Sequence, residues 1–100
     1  MIRYEILLPL YLNDGAPVAA ERFLETDDEL LDAFGAISTD TVVIKGKWTY
    51  QSTIYHDQLI RIRIDADESP EVEGRIRQIK ETLKTRFERA TFPLWFWRFA

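Results

Sequence analysis

Few residues in this chain have the chemistry to act on a ligand, and their spacing limits what they can do. His56 is the only histidine. A general base needs a carboxylate or a substrate proton within hydrogen-bond reach. Its neighbour Asp57 points to the opposite side of an extended strand, so no dyad follows from adjacency. A metal site is excluded on similar grounds. There is no cysteine, and one histidine would need several convergent carboxylates that no spacing here supplies. Asp27-Asp28-Glu29 has the composition of a helix N-terminus, where acids favour the macrodipole. Asp65-Ala66-Asp67-Glu68 lacks the glycine and the downstream glutamate of a calcium loop.

The basic residues are more suggestive. Arg61 and Arg63 alternate with Ile60, Ile62 and Ile64, so they belong to the polar face of a strand whose other face is core. Glu5 and Asp57 are the expected partners in a solvated ion-pair reading. The alternative is an anion or acidic-partner site built from Arg61, Arg63, Lys45 and Arg3. A third group is aromatic. In the segment from Phe92 to Ala100, Leu94 and Phe96 fall on one face of a strand, and Trp95, Trp97 and Phe99 on the other. Neither face wants water, so one is expected to meet the chain's own core and the other a partner. Trp95, Trp97 and Phe99 are therefore the interface residues expected here, in keeping with the enrichment of aromatics in interface centres.

Size and composition set the frame for these residues. One hundred residues make one domain, 1–100. No apolar run approaches the roughly 18 residues needed to cross a bilayer. Glu5 interrupts what would be the apolar core of a signal peptide. With no cysteine as well, a cytoplasmic protein with no membrane partner and no cofactor is expected. The net charge of −4 argues against non-specific nucleic-acid binding.

The elements follow from periodicity. Tyr4 to Leu12 reads as a strand with Tyr4, Ile6, Leu8 and Leu10 on one face, and Asn13-Asp14-Gly15 as a turn. Thr26-Asp27-Asp28-Glu29 has the capping-box pattern. It opens a helix with Leu30, Leu31 and Phe34 as its stripe and Gly35 as its C-cap. Phe23 and Leu24 either turn or extend that helix backwards. Two strands, Thr41 to Tyr50 and Thr53 to Asp65, meet at Gln51-Ser52. Val42, Ile44 and Trp48 would join Ile54, Ile60, Ile62 and Ile64 in the core only with an odd loop or a bulge, for which Gly46 is the site. That register places Lys45 near Asp57 and Lys47 near Tyr55. Ser69 caps a second helix with Pro70 at its first position. Its stripe is Val72, Ile76, Ile79, Leu83 and Phe87. The aromatic strand comes last.

The order β-α-β-β-α-β, with two right-handed crossovers, predicts an α+β ferredoxin-like sandwich. It has a four-stranded antiparallel sheet with both helices on one face. The first and third strands are central and the last is an edge. The RNA-recognition motif shares this topology, but it stacks bases on aromatics where this chain has Arg and Leu.

The chain also resembles a group of small bacterial proteins of about this length and pattern, whose activity is not established. The likeness rests on Tyr4-Glu5-Ile6-Leu7-Leu8-Pro9-Leu10, Asn13-Asp14-Gly15-Ala16-Pro17, Phe23 with Thr26, and Leu30 to Gly35. Gly46-Lys47-Trp48, Tyr55 with Asp57, and Lys80, Leu83, Arg86 and Phe87 complete it. It implies a compact domain and no activity. The leading expectation is a self-associating binding or regulatory module, as a homodimer or with another protein. The alternatives are a small cofactor-free enzyme of the dimeric ferredoxin-like monooxygenase type, with Tyr4, Trp48, Tyr55 and His56 lining a pocket, or a component of a toxin–antitoxin or defence locus.

Overall fold

In the computed structural model the strand Ile2–Pro9 (β1) runs through the middle of a five-stranded antiparallel sheet. The structure describes residues 2–12, 14–40, 42–88 and the strand at 95–99. After β1 come the helix Ala20–Phe34 (α1), the short strand Ile37–Thr39 (β2), and the hairpin of Ile44–Tyr50 (β3) and Thr53–Ala66 (β4). The helix Pro70–Arg86 (α2) and the strand Trp95–Phe99 (β5) complete the order. β5 pairs with β1, β1 with β4, and β2 and β3 share the far edge of β4. This is the ferredoxin-like arrangement expected from the sequence, with the second strand broken in two.

The alternation of β1 dictates where the core lies. Ile2, Tyr4, Ile6 and Leu8 are buried and face Ile60, Ile62 and Ile64 in register. Leu30 of α1 and Ile76, Leu83 and Phe87 of α2 close over them. The α2 stripe is as periodicity requires. Ser69 Oγ accepts the Val72 backbone N–H at 3.1 Å, as an N-cap should.

α1 departs from expectation. It starts at Ala20, six residues before the capping-box pattern, and its N-cap, Ala19, makes no side-chain bond. Thr26 is fully buried in mid-helix, and its Oγ1 donates to the Arg22 carbonyl at 2.7 Å. The early start has a packing cause. Phe23 reaches the Phe87 ring at 5.3 Å, and that contact exists only if the helix already includes Phe23. The buried stripe is therefore Phe23, Thr26, Leu30 and Phe34, while Leu31 is exposed. Gly35 ends the helix at φ 81, and its N–H reaches the Leu31 carbonyl.

The hairpin register is also corrected. Tyr50 pairs with Thr53, so Gln51 and Ser52 form a two-residue turn, with φ 48 and 64. Positive φ at both positions is the type I′ geometry that suits the strand twist, even without glycine. An even loop puts Ile44 opposite Leu59, Lys45 opposite Gln58, Lys47 opposite His56 and Trp48 opposite Tyr55. Lys45 therefore does not pair with Asp57, nor Lys47 with Tyr55, and Gly46 pairs regularly with Asp57 rather than bulging. The irregularity lies upstream. Between Thr39↔Ile62 and Ile44↔Leu59 the register against β4 shifts by two residues. This bulge is why Val42 lies 70% exposed rather than in the core.

Candidate functional site

β4 is longer than its neighbour. β1 pairs with it as far as Pro9↔Leu59, and the Leu10 N–H reaches the Gln58 carbonyl. Beyond that point β3 and β4 continue as a two-stranded ribbon. Its two faces differ. Opposite residues of an antiparallel pair share a face, and faces alternate along the strand. Lys45, Lys47, His56 and Gln58 thus fall on the helix-side face, and Trp48, Tyr55 and Asp57 on the reverse.

The chain leaves β1 through a tight turn that folds over the helix side. Gly15, at φ 89, donates its N–H to the Leu12 carbonyl, and Asp14 Oδ1 accepts from the Ala16 backbone at 2.9 Å. Tyr11 bridges to Pro17, and the Val18 N–H returns to the Leu10 carbonyl. Between this turn and the ribbon lies a cleft of about 510 Å³. Its lining includes Tyr11, Lys45, Lys47, His56 and Gln58. Lys45 and Lys47 form no ion pair among the described residues. Asp57 stands at the rim, and its Oδ2 accepts from Trp48 Nε1 at 3.3 Å.

A second groove of about 520 Å³ runs between the helices past Glu29, Arg75 and Thr82. Its arginine and its glutamate already have partners. Arg75 donates to the Ala33 carbonyl and pairs with Glu71, and Glu29 holds Arg86 at 2.7 Å. The hairpin cleft is the better candidate, because the side chains of Lys45, Lys47, His56 and Gln58 make no hydrogen bond or ion pair among the described residues.

The residues singled out by sequence are scattered. Arg61 and Arg63 do share the helix-free face, but Asp40 holds both at 2.6 Å, and Glu5 stands at 3.8 and 3.5 Å. Asp40 is the carboxylate the sequence reading missed. It comes from the bulge, where its own N–H also reaches the Arg61 carbonyl. The hydrogen bond from Arg61, together with that from Arg63, holds the Asp40 carboxyl below the usual range. Arg3 is tied to Asp65 at 2.9 Å, and its hydrogen bond holds that carboxyl low as well. Lys45 lies on the other face, so the four-residue anion site does not assemble.

The proposed pocket of Tyr4, Trp48, Tyr55 and His56 does not form either. Tyr4 is in the core, opposite Ile64. Trp48 and Tyr55 stack on the reverse face of the ribbon, with centroids 4.4 Å apart and planes 15° apart. Only His56 reaches the cleft. For Trp95, Trp97 and Phe99, the backbone register sets them opposite Leu7, Glu5 and Arg3. The side-chain surface expected of them lies outside the described residues. No group of three or more metal-ligating side chains occurs among the described residues. No helix among them is long and apolar enough to cross a membrane.

Fold and site together define a ferredoxin-like α+β domain with a basic cleft at the root of its projecting hairpin. Among solved structures it is similar to a phage SAM lyase in complex with S-methyl-5'-thioadenosine. The TM-score is 0.65 at 16% identity, over 87% of this chain and 72% of that one. The likeness extends to the fold. No family model and no curated protein matches the chain.

Proposed function

We propose that this protein is a binding module that takes a small molecule in the cleft between the Tyr11–Gly15 turn and the β3–β4 ribbon. The observation that carries the reading is the cleft. At about 510 Å³ it is within the ordinary range of ligand sites, and its floor is polar without a structural reason to be so. Self-association, as a homodimer in the cytoplasm, belongs to the same proposal. Val42 and Val43 before β3, and Tyr50 and Ile54 near the hairpin tip, are exposed apolar residues and support it.

Thermal denaturation against a panel of metabolites tests the cleft. A ligand at a hundred times its Kd stabilises a domain by about 2.7 kcal/mol. A hit should raise Tm in the wild type and lose its effect in Gln58→Trp, which fills the floor. A panel without hits, or hits that stabilise Gln58→Trp equally, would remove the reading.

The second reading is a small cofactor-free enzyme. The phage lyase supports it, as a domain of similar fold named for an activity on SAM. His56 would be the acid or base, as the one imidazole that lines the cleft. Incubation with SAM, followed by chromatography for S-methyl-5'-thioadenosine, decides it. Product that disappears with His56→Gln would favour the enzyme, and a yield equal to the buffer blank would remove it.

A further inference from the structure

Resting on the reading of the cleft as a ligand site, we infer that its ligand carries a phosphate group on a flat ring body, the chemistry of a nucleoside monophosphate. The argument begins with charge. Acids outnumber bases in this chain, 17 to 13. Six arginines, at 3, 22, 61, 63, 75 and 86, each reach a carboxylate. Lys45 and Lys47 reach none, and they stand together on the floor of the cleft with His56. In an acidic protein, two ammonium groups on one face with no ion pair among the described residues create a local positive field.

Spacing narrows the ligand. Lys45 and Lys47 are two residues apart on one strand, about 7 Å along it. Gln58 and His56 stand directly across from them, at the roughly 5 Å separation of antiparallel partners. The four side chains form a rectangle of donors. A carboxylate offers two oxygens and one charge, enough for one ammonium group. A phosphate monoester offers three terminal oxygens and close to two charges, enough to engage both lysines and His56 together. Asp57, which also lines the cleft, accepts from Trp48 Nε1 at 3.3 Å. Tyr11 supplies the wall, partly exposed, as an aromatic surface on which a ring can stack.

The test is calorimetric titration of the full chain with adenosine monophosphate, adenosine and inorganic phosphate. Imidazole NMR signals are followed in parallel and are unambiguous, because His56 is the only histidine. The nucleotide is expected to bind at least about tenfold tighter than either adenosine or phosphate alone, the scale of one charge-assisted hydrogen bond. It should move the His56 signals. The Lys45→Ala/Lys47→Ala variant should lose at least about tenfold in nucleotide affinity and none for adenosine. These are exposed positions, and circular dichroism checks that the variant folds. Adenosine binding as tightly as the nucleotide, independently of the lysines, would overturn the phosphate and leave the cleft standing. A cleft that takes another panel compound but not the nucleotide would do the same. A cleft that takes nothing would remove both.

Discussion

One strand, β4, runs through two environments. From Leu59 to Ile64 it pairs with β1 along one edge and, at Ile62 to Ile64, with β2 along the other, and Ile62 and Ile64 are sealed against the helices. From Thr53 to Gln58 the same alternation continues beside β3 alone, and Ile54 is 62% exposed. The period-two pattern is identical in both halves. What differs is the layer above. In the body, the helix-side residues of β4, Ile60, Ile62 and Ile64, join the core cluster with α1 and α2. In the ribbon, the equivalent positions 56 and 58 carry His and Gln, and positions 45 and 47 across from them carry Lys. The body's helix-side residues are used up by folding, whereas the side chains of Lys45, Lys47, His56 and Gln58 in the ribbon make no hydrogen bond or ion pair among the described residues. The ribbon is held from its reverse face instead, by the Trp48–Tyr55 stack and the Trp48–Asp57 bond.

The contrast implies that damage to the body unfolds the domain and damage to the ribbon does not. The largest effect is expected from Phe87→Ala, which removes a fully buried ring from the meeting point of both helices and the sheet. It should cost about 3–5 kcal/mol in chemical denaturation. Arg86→Met comes next. The Arg86 side chain is only 10% exposed, donates to Thr26 Oγ1 at 3.0 Å and pairs with Glu29 and Glu25. Removing it should cost about 2–3 kcal/mol and loosen α1 from α2.

Tyr4→Phe should go the other way. The Tyr4 hydroxyl is buried with no hydrogen-bond partner among the described residues, so its removal should raise stability by about 1 kcal/mol. A loss of stability would reveal a partner for it. Ser52→Gly relieves a positive φ in the ribbon turn and should add about 0.5–1 kcal/mol. The gain should appear as slower amide exchange from residue 44 to 59, with the body unchanged.

The smallest effect concerns pH. Asp40 is depressed by Arg61 and Arg63, so its share of stability is present above the ordinary carboxylate range and lost as pH falls through its lowered value. Asp40→Asn should be slightly less stable at neutral pH. Its denaturation midpoint should also fall less steeply in acid than that of the wild type. Equal slopes would mean that other carboxylates carry the acid response.

The body was legible in the sequence because its signals are local and repeated. β1 and α2 show their buried faces as unbroken periodic patterns, and Ser69-Pro70 marks a helix start by mechanism. Three features were not legible. The start of α1 depends on Phe23 meeting Phe87, a contact 64 positions away that no local pattern records. The capping-box residues therefore misled, because Thr26 serves as a buried helix–helix contact. The Asp40 bulge separates β2 from β3 and reverses which side chains face the core, so the isoleucine parity of β4 was matched to the wrong partners. The cleft was lost with that register. A two-residue turn at Gln51-Ser52, taken at face value, already sets Lys45 and Lys47 across from Gln58 and His56. The apolar Ile44 and Trp48 share the parity of the core isoleucines and so mask that register in the sequence.

The most direct test of the account is amide NMR mapping of the full chain during titration with adenosine monophosphate. Shifts centred on Gly15, Lys45, Lys47, His56 and Gln58 are the expected result, with α1 and α2 still. Shifts confined to the helix groove around Arg75 and Thr82, or absent everywhere, would contradict it.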